Sequence, residues 1–398
     1  MHSTSRLVRI AAVAAGVALL AGGIPQPTRA ADPFEINVIL PLTGTVAFLG
    51  QKEKESLDVI ETVVNKTGGI KGRPLKFVYY DDQSNPPVSV QVVNQIVATK
   101  HPPVILGSSF VSTCSATAPL IENTGPVQYC FSPGIYPKAG SYEFSASMAT
   151  TDLLATTARY YRLRGWKKVA MITSTDASGQ DGERQVNGAF GSAENKDMEI
   201  VDREHFNTTD ISVAAQMAHI KQSGAQAMVA WVSGNAFATI LHGMQDAGLD
   251  IPVTTSTANL LYKQLDGYSA FIGNNVLFPA SPGDALSVLP RGGVRDAVAT
   301  YLNAMKAAGV RPDQGDTLAW DAAQLVVDGY KKYGFDMTAA QLREYLSTLK
   351  GWTGINGSYD FASVPQRGVG SGWVIMVRWD KAKGDWTAVS APGGAPLR

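Results

Sequence analysis

Cysteine, histidine and net charge are all scarce in this chain of 398 residues. Basic and acidic side chains balance at 34 each, which leaves no basic field for nucleic acid or an anionic membrane. Beyond the first 30 residues no stretch is long and apolar enough to cross a bilayer. His101, His205, His219 and His242 stand alone, without a partner at metal-ligand spacing, and read as surface or capping groups. Cys114 and Cys130 have no histidine nearby and make a poor zinc site. No nucleophile-elbow or phosphate-loop pattern occurs, and the glycine cluster Gly368–Gly372 precedes a strand and lacks the dinucleotide spacing. Asp81 and Asp82 are neighbours on a strand, so their carboxylates point to opposite faces and read as turn and capping groups. Neither an enzyme nor a cofactor is expected.

What is present starts with an export signal. Arg6 and Arg9 form a positive start, Ile10–Leu20 is apolar, and Thr28-Arg-Ala30 offers small residues for cleavage after Ala30. A membrane anchor is the alternative, but the run is short and broken by Gly22, Gly23 and Pro25. No cysteine follows it for lipid attachment, so a soluble, periplasmic product is expected. The remainder, roughly 370 residues, suffices for two domains with cores of their own. In an oxidising compartment the even cysteine pair suggests a Cys114–Cys130 disulfide; two buried free thiols are the alternative.

Asn37–Pro41 reads as a strand, Leu42–Gly50 as a small-residue loop, and the stretch from Gln51 as a helix that Gly68-Gly69 stops. Leu75–Tyr80 is a second strand, which completes a βαβ unit of a parallel sheet. The rhythm continues with a helix at Val88–Thr99, strands at Val104–Leu106 and Val127–Phe131, and a helix near Cys114–Asn123. It restarts near residue 150 with a helix at Thr151–Leu163 and strands at Lys168–Thr173, Met198–Phe206, Ala227–Val232 and Ile251–Thr255. Helices are expected at Glu183–Ala193, Ile211–Ser223, Ala236–Ala247, Arg295–Ala308, Thr317–Tyr333 and Thr338–Leu349. Gly372–Trp379 reads as a late strand, and the Pro- and Gly-containing tail Ala391–Arg398 as frayed. No Gly/Ser linker marks the middle, so two α/β lobes joined by ordered crossovers are expected.

Pro41-Leu-Thr-Gly44, Asn65–Gly72 and Tyr80-Asp-Asp82 together resemble the opening of the branched-chain amino-acid-binding type of periplasmic solute-binding protein. The resemblance runs from about Phe34 to Trp379. It implies a type I two-lobe fold, each lobe a doubly wound, mostly parallel sheet, with three crossovers. It places the first lobe at 34–150 plus 281–365 and the second at 151–280 plus 366–398. It further implies a monomer that closes over a small molecule and presents it to the permease of an ABC transporter in the inner membrane. A sensory module of the same fold is the alternative, and an exported α/β enzyme a more distant one.

In such proteins the loops after strands three and four hold the ligand carboxylate. Here these are Ser108–Thr113 and Ser132–Tyr136, with Val111 at the family's serine position, Ser112 and Thr113 beside it, and Gly134, Ile135 and Tyr136 at its Ala-Ala-Thr run. Hydroxyls and free N–H groups at a helix start suit an anion, while N-capping by Ser112 or Thr113 is an equal alternative. Three positions depart from the family: Ser178 and Ser233 replace tyrosines, and Thr257 replaces the acid that pairs with the ligand's ammonium. A buried ammonium without a carboxylate is costly. Phe48, Phe110, Tyr136 and Trp231 offer flat walls, with core packing the alternative, most evenly for Trp231. The ligand expected from this comparison is an amine-free carboxylate, aromatic acids among them.

Overall fold

Strands buried on both faces read as unbroken apolar runs, and the interior strands Val104–Leu106 and Ala227–Trp231 of the chain's two large sheets are such runs. The computed structural model describes residues 32–397, so the expected signal sequence lies outside the described residues. β1 (Phe34–Leu40), α1 (Ala47–Lys66), β2 (Leu75–Asp81), α2 (Pro86–Lys100), β3 (Val104–Leu106), α3 (Val111–Ile121), β4 (Val127–Cys130) and β5 (Glu143–Ser145) follow one another. Their strands form a five-stranded, all-parallel sheet in the order β2-β1-β3-β4-β5. Asp81 accepts the N–H groups of Leu42 and Gln83, and Asp82 those of Ser84 and the Ser108 hydroxyl, so both carboxylates tie the loops at the carboxyl end of this sheet.

The second sheet takes over after α4 (Thr150–Leu163). It comprises β6 (Lys168–Ser174), α5 (Ala177–Phe190), β7 (Glu199–Phe206), α6 (Ala214–Gln222), β8 (Ala227–Trp231), α7 (Ala236–Ala247), β9 (Val253–Thr255), α8 (Tyr262–Gly267) and β10 (Val276–Ala280). Helices α9 (Gly293–Ala307), α10 (Gln314–Tyr333) and α11 (Ala339–Thr348) come next, with a small hairpin of β11 (Lys350–Thr353) and β12 (Ser358–Asp360). α10 packs along α1, and α11 against β4. The chain ends in β13 (Ile375–Asp380) and β14 (Asp385–Ala388), which join the second sheet antiparallel beside β10. Its order is β14-β13-β10-β9-β8-β6-β7.

Three expectations are corrected. α5 starts at Ala177, six residues before the expected Glu183, because Asp176 accepts the Gly179 N–H and caps it. The late strand starts at Ile375, since residues 371–373 form a single 3-10 turn. The tail is not frayed as far as Ala395: Ala391 donates to Ala395 O, Gly393 donates to Val374 O, the Arg159 guanidinium donates to Gly393 O, and both tail glycines are buried against α4.

Candidate functional site

The carboxyl ends of strands from both sheets converge on one cavity. Val46, Phe48 and Leu49 follow β1, Ser109, Phe110 and Val111 follow β3, and Ser132, Pro133 and Gly134 follow β4. From the second sheet come Ser178 and Asp181 after β6, Trp231 and Ser233 at the end of β8, and Ser256, Thr257 and Ala258 after β9. Thr150 at the start of α4 and Leu318 on α10 complete the wall. The free volume between these walls is about 40 Å³, below the usual size of small-molecule sites. Parallel sheets place ligands outside these strand ends, and here two sheets do so face to face.

Seven of the eleven expected ligand residues line this cavity: Phe48, Phe110, Val111, Gly134, Ser178, Ser233 and Thr257. The structure sets the other four around it. Ser112 is half-buried in the first turn of α3. Thr113 is fully buried, its Oγ1 2.9 Å from both Ser108 Oγ and the Phe110 carbonyl. Ile135 turns away and packs with Cys114, Cys130 and Val111. Tyr136 is 48% exposed, and its hydroxyl lies 3.5 Å from both Asp181 Oδ2 and Thr151 Oγ1. Burial and the Asp181 charge push that phenol up to about 12.

Cys114 and Cys130 are joined as a disulfide with Cα atoms 6.2 Å apart, which ties the first turn of α3 to the end of β4. α3 begins at Val111, so Ser112 and Thr113 lie inside the helix and neither caps it; the N-cap is Phe110, and no side chain bonds there. The first N–H groups of a helix lack intrahelical acceptors and carry its positive end. That end opens on the cavity through Phe110 and Val111. Beneath the β4 loop the buried Arg367 guanidinium donates to the carbonyls of Pro133, Ile135, Ala146 and Ser147.

The second sheet contributes a hydroxyl ladder. Ser178 Oγ and Ser233 Oγ are 2.9 Å apart, Ser233 Oγ lies 3.5 Å from Ser256 Oγ, and Ser256 donates to Val232 O at 2.7 Å. Trp231 is 2% exposed and forms the back wall, its ring pressed on Gly182, where a Cβ would lie 2.2 Å from ring carbon Cδ1.

Sequence reasoning passed over Asp181. It is fully buried, and it is the only ionisable side chain on the cavity wall among the described residues. The Thr150 hydroxyl bonds to it, and further groups lie near: Gln185 Nε2 at 3.4 Å, Tyr136 Oη at 3.5 Å and the exposed Arg184 guanidinium at 3.6 Å. Burial pushes its carboxyl upward. The signal was the Asp176 cap: a helix that starts at Ala177 sets Ser178, Asp181 and Gly182 on one face, at i, i+3 and i+4.

A family model described as periplasmic binding protein matches residues 33–385. Over 62 residues, 16% of this chain and 17% of that protein, the sequence is 44% identical to "Leu/Ile/Val-binding protein homolog 3" of Brucella melitensis. The matched segments span no more than 24% of the first curated relatives' own lengths. The fold resembles the substrate-binding protein LivJ of Streptococcus pneumoniae in complex with isoleucine, with a TM-score of 0.75 and 18% identity over 90% of this chain and 99% of that one. It equally resembles a solute-binding protein of an ABC transporter from Rhodopseudomonas palustris in complex with 4-hydroxybenzoate, with a TM-score of 0.75 and 18% identity over 92% and 98% of the two chains. The chain belongs to the periplasmic binding protein family, with Leu/Ile/Val-binding proteins among its relatives.

Proposed function

We propose that this protein captures a small organic carboxylate between two α/β lobes and delivers it to the permease of an ABC transporter. The observation that carries the reading is the single cavity walled by strand ends of both sheets, with the positive end of α3 on one side and the Ser178–Ser233–Ser256 hydroxyls on the other. The lobes are residues 34–150 with 281–365 and 151–280 with 366–398, joined by three crossovers. Closure buries the solute, and the solute's preference for the closed form shifts the hinge equilibrium. The protein acts as an exported monomer and turns nothing over.

Two readings of the solute follow from two side chains. Thr257 lines the cavity without a charge, and Phe48, Phe110 and Trp231 supply flat apolar walls; these support an amine-free, aromatic acid. Asp181 supports a carboxylate that also bears an ammonium, because it supplies the acid that position 257 lacks. Thermal unfolding of the mature protein against branched-chain and polar amino acids, aromatic acids, dicarboxylates and short fatty acids separates them. A ligand at about 100 times its Kd adds roughly 2.7 kcal/mol. Stabilisation by 4-hydroxybenzoate and not by isoleucine selects the first reading, the converse selects the second, and a flat response across the panel overturns the carboxylate site itself.

A further inference from the structure

Directly behind the cavity wall lies a carboxyl group with nothing to hold it. Glu53 on α1 is fully buried, and neither of its oxygens has a hydrogen-bond partner among the described residues. The side chain that faces it is Ser109, whose own Oγ is likewise buried and unpartnered while the residue lines the cavity. The other charged groups acting on Glu53 are both acidic, Asp82 beyond β2 and Asp316 on α10. Asp82 already accepts from Ser108 and Ser84, and Asp316 from Lys52. Of the two cations adjacent in sequence, Lys52 is committed to Asp316 and Glu55, and Lys54 to Asp58. A buried carboxylate with only the Ser109 hydroxyl within reach, no cation and two acidic neighbours is untenable as an ion, and such groups take up a proton instead. Burial does push the Glu53 carboxyl well above the ordinary range.

We propose that Glu53 is a positioning residue of the ligand site: as an uncharged acid it donates to Ser109 Oγ, and Ser109 then turns its own hydrogen into the cavity toward the ligand's anionic group. This rests on the carboxylate reading above, and both solutes considered there share that group. An ionised Glu53 reverses the arrangement, since it accepts from Ser109 and leaves a lone pair facing the ligand. Affinity for a carboxylate therefore falls as pH rises through the ionisation of Glu53.

Infrared difference spectra of the free protein test the acid without any ligand. A protonated-carboxyl C=O band should disappear in E53Q and shift in S109A; a spectrum unchanged by either substitution overturns the proposal. Calorimetric titrations with isoleucine and 4-hydroxybenzoate test its consequence. E53L, which cannot donate, should bind about tenfold more weakly, S109A similarly, and the double variant no worse than either. E53Q, whose amide donates to Ser109, should restore binding and remove the part of the pH dependence that Glu53 contributes, leaving the part due to Asp181 on the cavity wall. Equal affinity of E53L and wild type overturns the positioning role. Failure of both acids to bind speaks against the carboxylate reading and leaves the infrared result to decide on Glu53.

Discussion

Gly134 and Asp181 meet across the cavity, one from the loop after β4 and the other from α5. A Cβ on Gly134 would stand 2.9 Å from Asp181 Oδ2 and 2.6 Å from Val111 Cγ2. Neither distance is one that a real Cβ keeps, so the two sheets approach this closely because the residue is glycine. Gly134→Ala should fold, since the obstructing atoms are ends of side chains that can swing. It should nonetheless hold the cavity open and weaken binding by roughly 1–3 kcal/mol, about five- to a hundred-and-fifty-fold. Titration with the best-stabilising acid of the panel, paired with small-angle scattering for closure, measures both effects. An alanine variant that binds and compacts like wild type would show that this contact does not govern closure.

Asp181→Asn separates the two solute readings by sign. For an ammonium-bearing ligand the substitution strips a buried charge of its partner, and breaking such a pair costs roughly 3–5 kcal/mol. For an amine-free acid it removes a like charge from the cavity wall, and affinity should rise. The same titrations on one variant thus give opposite shifts.

The parts of the fold that were legible are those fixed by local pattern. The apolar run of β1, the period of α1 and the Gly68-Gly69 stop are written in neighbouring residues. What escaped was held by contacts distant in sequence. β10 contains Pro279, which reads as a strand breaker, yet it pairs with β9 and β13 in the interior of the second sheet. The opening of α5, Ala-Ser-Gly-Gln-Asp-Gly, has the composition of a loop. It is helical because Asp176 caps it and because Gly179 and Gly182 let it lie against Ser174 and Trp231. The tail's glycines, Gly393 at φ 70° and Gly394 at φ 71°, suggested fraying and are instead what lets the backbone dock on α4. At the site, the loops were legible from the βα rhythm, whereas the side chains that point inward depend on helix starts. A start misplaced by six residues hid Asp181.

The disulfide bears on the site as well as on stability. Cys114 and Cys130, 16 residues apart, close a loop that contains α3 from its fourth residue on and anchor its first turn beside Ile135 and Val111. Loop-closure entropy for that length gives about 3 kcal/mol. The Cys114→Ala, Cys130→Ala double variant should lose approximately that in denaturant unfolding. It should also bind the panel's best acid more weakly, because the helix end that faces the anion is no longer pinned. Wild-type affinity in the double variant would confine the bridge to a stabilising role.

Stability should fall from mildly acidic to mildly alkaline pH, the reverse of a protein governed by surface carboxylates. Burial pushes Glu143 up to about 7, with the nearby Glu122 charge adding to it. Burial and the Asp313 charge push Asp284 up to about 8. Each folded-state value lies above that of the unfolded chain, so the native state binds the extra protons. Their contribution is complete below the ordinary carboxylate range and is lost as pH rises through 7 for Glu143 and 8 for Asp284, with a slope of up to about 1.4 kcal/mol per pH unit for each group. At the acid end, the hydrogen bonds that hold Asp81 low are lost as pH falls below its ordinary range, which opposes that trend there. Thermal melts from pH 5 to pH 8 should show a steadily falling midpoint. Glu143→Gln and Asp284→Asn should each flatten part of that decline by holding the neutral form at every pH. A midpoint that rises across the same interval, or variants that keep the full wild-type slope, would mean that both carboxyls are ionised in the folded protein.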